Sequence, residues 1–434
     1  QCSTHSVTQA QCNGVCPHRM LNTRKRRATP DLPTTPTTRT VAVDVLADSI
    51  ADRSHGTARL CHRRLRIRSA GCGNDHRRRL RSASMPRHRA HGTAVRRCAN
   101  DHCIAVERGL DPLINNPGDP WGRTLNYPRI WLLLAQAGLG PQHTKLLAAT
   151  FTAFALAGLW SLRATARNRS TVFVLLLGIC APTMWLAIER GNSDLLLFGL
   201  CALAAAVPPW CAGVLVAIGA VLKLYPIAAL AAVFDRVPRR ALAVALPTVA
   251  LFLSYLLVIA GDLPLMRAGT LSAPSLSYGI TTMPSWLTKN SALSPTLVFA
   301  LATLPLVLIL GMALRLRRRH CIGSAGSPHS LAAFRAGAAI YLATFLIGEN
   351  FDYRLIFLLL TLPQLVTWSR RGPWRLRRGT MLQIVVVLLM QWSLSWRALL
   401  TEVLGTATIG LAVDEWLSWY CWCGFAVLCT LSLP

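Results

Sequence analysis

The chain has 434 residues, of which 53% are hydrophobic, and it carries a formal net charge of +28 with a mean hydropathy of +0.40. Such apolarity and such positive charge rarely occur together in one soluble domain, so the composition argues against a single soluble domain. It predicts two regions of different character, 1–100 and 101–434. The 14 cysteines do not follow the spacing of a disulfide framework, and most of those beyond residue 110 lie inside apolar runs.

The first region is rich in arginine and poor in structural signals. Its first 110 residues contain 20 arginines and no Trp, Tyr or Phe, and no period of 2 or 3.6 is visible, so we predict a region of low order. A basic arm for nucleic acid or anionic lipid would need interleaved aromatic residues. A zinc site from Cys12, Cys16 and His18, or from Cys61 and His62, lacks a second ligand pair. The composition best fits GC-rich coding DNA read in a wrong frame, and a first residue other than methionine agrees with that interpretation.

From residue 101 onward, apolar runs alternate with short basic or polar links, and many are long enough to span a bilayer. This pattern predicts an all-α, polytopic membrane protein with nine or ten membrane segments. The short apolar piece Ile130–Gly140 is too short to span and is predicted to be re-entrant or interfacial. The predicted segments are 146–162, 171–188, 195–207, 211–234, 241–260, 295–314, 331–347, 353–368, 381–396 and 412–430.

Arginine clusters orient these segments. They follow 146–162, precede 241–260, follow 295–314 and follow 353–368, and the positive-inside rule places all four in the cytoplasm. An odd number of segments then separates the first two clusters. The simplest solution bends 211–234 at Lys223-Leu224-Tyr225-Pro226, so that it enters and leaves on one side, because proline breaks a helix.

With the arginines inside, four polar links fall on the extracytoplasmic face. They are the 101–145 loop, Glu189–Asp194, the 261–294 loop and Gly348–Arg354. Glu189-Arg190-Gly191-Asn192-Ser193-Asp194 places three ionisable groups between apolar runs, and each would cost roughly 2.5–3.5 kcal/mol at the centre of a bilayer. Alone, this link is equally well an ordinary polar turn, but the convergence of four such links favours a binding site.

The residue types on that face suit an anionic, lipid-borne ligand. We predict that Arg190, Lys223 and Arg354 bind a phosphate, and that a carboxylate acts as general base on a sugar hydroxyl. A phosphate leaving group needs no protonation, so one base suffices and inversion would follow from a single displacement. No metal or cofactor is required, and no nucleic-acid partner is expected. The residues predicted to orient the sugar or acceptor, or to fix helix ends, are Asn192, Asp194, Tyr225, Tyr278, Glu349 and Asp352; each aromatic residue alone is equally typical of an interfacial belt.

Four stretches together resemble glycosyltransferase family 87. They are Glu189–Leu196, Leu222-Lys223-Leu224-Tyr225-Pro226, Asn350–Ile356 with the later Leu362-Pro363, and Asp111-Pro112 with Asn126-Tyr127-Pro128. The resemblance covers roughly residues 101–434. It implies a GT-C membrane fold and a mannosyltransferase that uses a polyprenyl-phosphate donor. It also implies a lipid or glycan acceptor and a site on the extracytoplasmic side of the plasma membrane.

The resemblance further implies an aspartate base in the first outer loop, and here the chain departs from the family pattern. That aspartate usually lies about fifteen residues before the aspartate-proline pair, a position that falls near Arg96 in this chain. Asp111 and Asp119 are the remaining candidates for the base, and each is equally suited to capping a turn. Two alternatives stay open: a transporter or flippase for a lipid-linked or anionic solute, and an inactive, truncated or mis-framed relative.

Overall fold

A computed structural model describes residues 105–433 except 107, 118, 120–122, 166–167, 235–237, 271–272, 291–293, 319–321 and 323–325. The arginine-rich region 1–100, with its candidate basic arm and zinc ligands, lies outside the described residues. The described part is helical almost throughout, which confirms the prediction of an all-α protein. Numbered from Leu132, its helices are α1 (Leu132–Gln136), α2 (Thr144–Leu162), α3 (Arg169–Ile179), α4 (Pro182–Glu189), α5 (Asp194–Ala204), α6 (Pro209–Leu222), α7 (Pro238–Val258), α8 (Leu263–Ala268), α9 (Thr282–Asn290), α10 (Pro295–Arg317), α11 (Pro328–Ile347), α12 (Leu362–Arg371), α13 (Trp374–Gln391), α14 (Ser393–Leu404) and α15 (Thr408–Ser432).

Several helices suit a multi-pass membrane protein. Within the described residues, α2, α7, α10 and α11 are each long and apolar enough to cross a bilayer. Two bent pairs, α3 with α4 at 49° and α13 with α14 at 70°, raise the number of candidate spans to six. Helices α5 and α6 have only 11 and 14 residues, fewer than the roughly 20 that a straight span needs. The apolar runs predicted at 195–207 and 211–234 therefore contain helices shorter than a full span.

The candidate spans expose apolar side chains on their outer faces. On α7, Leu257 and Val258 are 79% and 83% exposed, and α10 similarly exposes Val307 and Leu308. Contiguous exposed apolar surface of this kind is unfavourable in water and favourable against lipid tails. The surface of these helices thus agrees with their length in indicating a bilayer environment.

Close helix packing depends on glycine where α2 crosses α5. A Cβ atom on Gly199 would lie 2.3 Å from the carbonyl oxygen of Phe154, and one on Gly158 would lie 3.0 Å from the Cα of Gly199. Only glycine permits two backbones to approach so closely, as is common between membrane helices. This contact fixes α5, whose first residue is Asp194, deep in the helix bundle.

Two nine-residue 3-10 helices, Tyr225–Val233 and Asp352–Leu360, follow the polar motifs. The predicted break at Lys223–Pro226 is confirmed, because α6 ends at Leu222 and Lys223 adopts an extended backbone (φ −150°, ψ 126°). The run predicted as one segment at 353–368 is instead a 3-10 helix followed by α12. Since 3-10 runs longer than three or four residues are uncommon and often mark functional or strained sites, these two segments direct attention to the residues at their starts.

A two-residue antiparallel strand pair joins two of the polar links. Strand β1 (Ser277–Tyr278) pairs with β2 (Asn350–Phe351), with Ser277 opposite Phe351 and Tyr278 opposite Asn350. The pair continues into a close contact between Gly279 and Gly348, where Gly279 has φ +142°. The 261–294 loop is thereby attached to the segment that carries Arg354.

The contact at Gly279 should be intolerant of any side chain. We expect Gly279→Ala to lower the free energy of unfolding by at least 1–3 kcal/mol, because its Cβ would lie 1.9 Å from the carbonyl oxygen of Gly348 at a strained backbone conformation. Thermal unfolding in detergent measures the effect. The matched control is Gly311→Ala on α10, where a Cβ has no neighbour within 4 Å and should be neutral or slightly stabilising. Equal stability of the two variants would show that the glycine contact is not required.

Candidate functional site

Asp194 is the centre of the candidate site, and its position follows from the turn before it. Helix α4 ends in a turn in which Gly191 has φ +52°, and the backbone N–H of Asn192 donates to the carbonyl of Ala187 at 2.9 Å. The Asn192 side chain then accepts a hydrogen bond from the backbone N–H of Asp194 at 3.0 Å. This short polar turn starts α5 and places the Asp194 carboxylate in the interior, where it is fully buried.

Three side chains surround the Asp194 carboxylate. Lys223 forms a short ion pair with Oδ1, and the Tyr225 hydroxyl donates to the same oxygen at 2.9 Å. The Arg354 Nε lies 3.4 Å from Oδ2. We call Asn192, Asp194, Lys223, Tyr225 and Arg354 the Asp194 cluster. A buried charge is tolerated only when it is paired, and here one carboxylate faces two cations, so the cluster retains one excess positive charge.

The outer loop reaches the cluster at Lys223. The Tyr127 ring centroid lies 4.8 Å from the Lys223 Nζ, within cation–π range. Nearby, the Trp131 indole donates to the carbonyl of Leu222 at 2.8 Å and so attaches the loop to the end of α6. The four polar links that the sequence placed on one face therefore meet in the structure, because the 261–294 loop also joins Gly348–Arg354 through β1 and β2.

Arg354 lies at the open side of the cluster. Its Nη1 donates to the Asn350 side chain, and its guanidinium lies 5.1 Å from the centroid of the Tyr225 ring. Asn350 is itself fixed by donating to the carbonyls of Thr344 and Gly348. The Arg354 side chain is 21% exposed, and its Nη2 makes no hydrogen bond with another described residue. One charged donor thus remains available to a ligand.

A second buried group of ion pairs includes Asp352, which lies close to Arg354 in the sequence. The Arg397 guanidinium donates to Asp352 at 2.8 Å and to Asp414 at 2.7 Å, and all three side chains are buried. We call these three residues the Arg397 cluster. It connects the start of the second 3-10 helix to α14 and α15. Asp352, the first residue of that 3-10 helix, lies two residues before Arg354. Asp352, predicted to orient a sugar, therefore has arginine as its partner in the structure.

The other predicted site residues occupy varied positions. Tyr278 is buried, its hydroxyl lies 3.0 Å from that of Thr344, and its ring stacks on Tyr341. The Glu349 carboxylate accepts a hydrogen bond from the backbone N–H of Ala273. Arg190 is half-buried, and its side chain forms no hydrogen bond or ion pair with another described residue.

Both candidate bases are ion-paired with arginine in the outer loop. Asp119 is buried and pairs with Arg123 at 2.8 Å, while Asp111 accepts from Arg129 at 2.8 Å. Arg129 also pairs with Asp262 at 2.8 Å, which links the outer loop to α8. Neither carboxylate belongs to the Asp194 cluster, although Arg129 stands only two residues from Tyr127, which contacts Lys223.

The Asp111–Arg129 pair should make a small, pH-dependent contribution to stability. The hydrogen bond from Arg129 lowers the pKa of the Asp111 carboxyl below its usual value, although burial opposes the shift. A lowered folded-state pKa stabilises the protein above the unfolded value of about 3.9, and this stabilisation is lost as the pH falls through the folded value. We expect the free energy of unfolding of the wild type to exceed that of Asp111→Asn by at most about 1 kcal/mol near neutral pH, since the pair is partly exposed. Below about pH 4 this difference should be smaller. Unfolding at several pH values measures the difference, with Asp262→Asn as a companion variant. A difference in the free energy of unfolding that does not change with pH would contradict the prediction.

Several buried polar atoms around the cluster have no partner within the described residues. They include the Asn192 Nδ2 and the Ser193 Oγ, both next to Asp194. Buried polar groups are normally hydrogen-bonded, so these atoms are suited to contact a polar ligand. Among all the residues that the structure describes, no three His, Cys, Asp or Glu side chains come together in a way that could hold a metal ion.

Sequence reasoning missed the Arg397 cluster, although a signal for it was present. The 381–434 stretch reads as apolar spans, yet Asp414 and Glu415 lie inside one of them and Arg397 follows another. Ionisable residues within apolar segments have partners or functions by default. The same rule that singles out Glu189–Asp194 therefore predicts an ion group in this stretch.

Comparison with known proteins agrees with this picture. No curated protein and no solved structure matches the chain. The family model of glycosyltransferase family 87 matches residues 130–347, half of the chain, and the matched part contains Asn192, Asp194, Lys223 and Tyr225 of the Asp194 cluster. The chain belongs to glycosyltransferase family 87 and is a membrane glycosyltransferase.

Proposed function

We propose that this glycosyltransferase, of GT-C type, transfers a hexose, specifically mannose, from a polyprenyl phosphate to a lipid or glycan acceptor. The observation that carries the proposal is the excess positive charge of the Asp194 cluster beside the free Nη2 of Arg354. A donor phosphate would neutralise that charge. Arginine suits phosphate through its planar fork of donors, and the lysine adds a point charge.

The apolar surroundings of the cluster favour a lipid-borne donor over a water-soluble one. Asp194 begins an apolar helix, the Phe357 ring lies 5.7 Å from that of Tyr225, and the Phe198 ring packs on Phe357 in turn. The sequence also contains no P-loop or dinucleotide fingerprint for a nucleotide sugar. A polyprenyl chain can remain in the bilayer while its phosphate reaches the cluster.

The transfer would be a single in-line displacement. The acceptor hydroxyl oxygen forms a bond to the anomeric carbon while the bond from that carbon to the phosphate oxygen breaks, which inverts the configuration. The hydroxyl proton passes to a carboxylate, and polyprenyl phosphate leaves as an anion bound by Arg354 and Lys223. Asp111 and Asp119 remain the candidate bases. Because arginine pairing weakens a carboxylate as a base, the substrate must displace Arg129 or Arg123 before either carboxylate takes the proton.

The site is proposed to face the extracytoplasmic side of the plasma membrane. Arginine residues stand at the C-terminal ends of α10 and α12, and the positive-inside rule favours a cytoplasmic position for those ends. The 20-residue helix α11 runs from the arginine-rich end to Gly348, close to Arg354. It is long enough to separate the two ends by about 30 Å, the thickness of a bilayer core.

Reconstituted full-length protein tests the donor and the reaction together. Proteoliposomes would receive polyprenyl-phosphate mannose or GDP-mannose, each labelled in the sugar, with a membrane lipid extract as the acceptor source. We expect labelled glycolipid from the polyprenyl donor only, with the anomeric configuration inverted when read by NMR. Product from GDP-mannose alone would overturn the proposed donor. Label accumulating inside the vesicles without any glycosidic product would indicate a transporter instead.

A further inference from the structure

A large groove lies at the arginine-rich end of the bundle, away from the Asp194 cluster. It has a volume of about 1180 Å³ and runs between α10, α13 and α15, and the last turn of α12 also lines it. Pockets for drug-sized ligands usually have roughly 300–1,000 Å³, so the groove has room for a larger molecule. Its wall is mainly apolar, with Met312, Leu316, Val427 and Leu431 among its residues. Met312 is exposed, so the groove opens on the same surface of α10 that faces lipid.

The rim of the groove carries positive charge without a counterion. Arg371, at the end of α12, and Arg375, at the start of α13, both line it and are exposed. Neither guanidinium forms a hydrogen bond or ion pair with another described residue, and the described lining contains no Asp or Glu. Helix α13 also begins at this rim, and the first turn of a helix presents backbone N–H groups that favour an anion. The rim is therefore suited to a negatively charged group.

A buried donor points to the same ligand chemistry. Trp368 lines the groove and is fully buried, yet its indole Nε1 has no hydrogen-bond partner in the part of the chain that the structure describes. A buried tryptophan N–H usually has a partner. Trp368 lies three residues before Arg371, almost one helical turn deeper than the rim. An acceptor oxygen placed just below an anionic group would satisfy it.

We propose that this groove binds one anionic phospholipid of the bilayer. Its phosphate lies between Arg371 and Arg375, an ester carbonyl accepts the Trp368 N–H, and an acyl chain follows the apolar wall between α10 and α15. A phospholipid has these three features in this order from surface to interior, which matches the order of the rim, the indole and the wall. Basic pockets between membrane helices on the cytoplasmic side are a recurrent mode of binding anionic lipid head groups. This site is separate from the sugar-transfer site, and the inference does not depend on the proposed donor.

Native mass spectrometry of the full-length protein, loaded with equal amounts of phosphatidylglycerol and phosphatidylcholine, tests the proposal. We expect wild type to retain one phosphatidylglycerol in preference to phosphatidylcholine. The variant Arg371→Gln/Arg375→Gln should lower phosphatidylglycerol affinity by about tenfold or more, since each basic residue near an anionic lipid contributes on the order of 1 kcal/mol. The matched control is Arg163→Gln/Arg169→Gln, two exposed arginines around the end of α2 and the start of α3, and it should retain the lipid.

A second pair of variants tests the groove itself rather than its charge. Gly379 lines the groove and Gly311 does not, and a Cβ at either position has no neighbour within 4 Å. Gly379→Phe should fill the groove and abolish lipid retention, whereas Gly311→Phe should leave it unchanged. Equal retention of the two phospholipids by wild type, or equal loss in test and control variants, would overturn the proposal. Displacement of phosphatidylglycerol by added polyprenyl phosphate would assign the groove to a different lipid and would also overturn it.

Discussion

Replacing Arg354 with glutamine is expected to reduce sugar transfer by about 10²–10³-fold while leaving the protein folded. Removing one preorganised donor to the charge that develops in a transition state typically has an effect of this size. Arg354 is suited to that role because its Nη2 is free within the described residues. Its loss removes the excess positive charge and leaves Asp194 paired with Lys223, so no buried charge is left without a partner and stability should change little. Initial rates with polyprenyl-phosphate mannose, together with thermal unfolding, measure the two effects.

Two further variants sharpen this prediction. Arg354→Lys keeps the charge but loses the planar fork, so we expect it to restore only part of the rate. Arg378→Gln removes an exposed arginine that stacks on Trp374 at 3.3 Å, and it should transfer sugar at the wild-type rate. If Arg354→Gln transferred sugar as fast as Arg378→Gln, Arg354 could not be the phosphate ligand.

The membership of the Asp194 cluster was largely predictable from the sequence, because charge inside apolar surroundings needs a partner. Asn192, Asp194 and Arg354 lie in polar links between apolar runs, and Lys223 and Tyr225 lie at a predicted break inside one. The structure brings these five residues into contact. Their individual roles were less predictable. The sequence predicts that Asp194 orients a sugar or fixes a helix end; the structure adds that it begins α5 and is the buried counterion of two cations. Pairing depends on distances between segments about thirty or more residues apart, which spacing alone does not determine.

The fold itself was predictable in class but not in the detail that shapes the site. Apolar runs long enough for a bilayer predicted the candidate spans at α2, α7, α10 and α11. The runs around 225–233 and 353–360 are equally apolar but form 3-10 helices, and an apolar run has no periodicity that separates these conformations. The proline after Tyr225 did signal a break, because proline cannot donate to a preceding turn. No such residue marks the Asp352–Leu360 stretch.

The largest effect on stability is expected at Arg397. Replacing it with methionine would leave the Asp352 and Asp414 carboxylates buried without a cation, and breaking a buried pair in this way typically lowers the free energy of unfolding by about 3–5 kcal/mol. Unfolding in mixed micelles measures the loss. Arg370→Met is the matched control, because Arg370 is exposed and its Nη1 contacts only the Ser170 hydroxyl, at 3.3 Å.

The same ion group offers a way to separate stability from catalysis. In Arg397→Met/Asp352→Asn/Asp414→Asn the uncompensated carboxylates are neutral, so most of the lost stability should return. Asp352 begins the 3-10 helix that carries Arg354, and without Arg397 that helix loses its attachment to α14 and α15. If Arg397 positions Arg354, the triple variant should fold and still transfer sugar slowly, with a lower kcat rather than only a higher KM. A stable triple variant with wild-type kcat would instead assign the Arg397 cluster to folding alone and leave Arg354 positioned by Asn350 and Asp194.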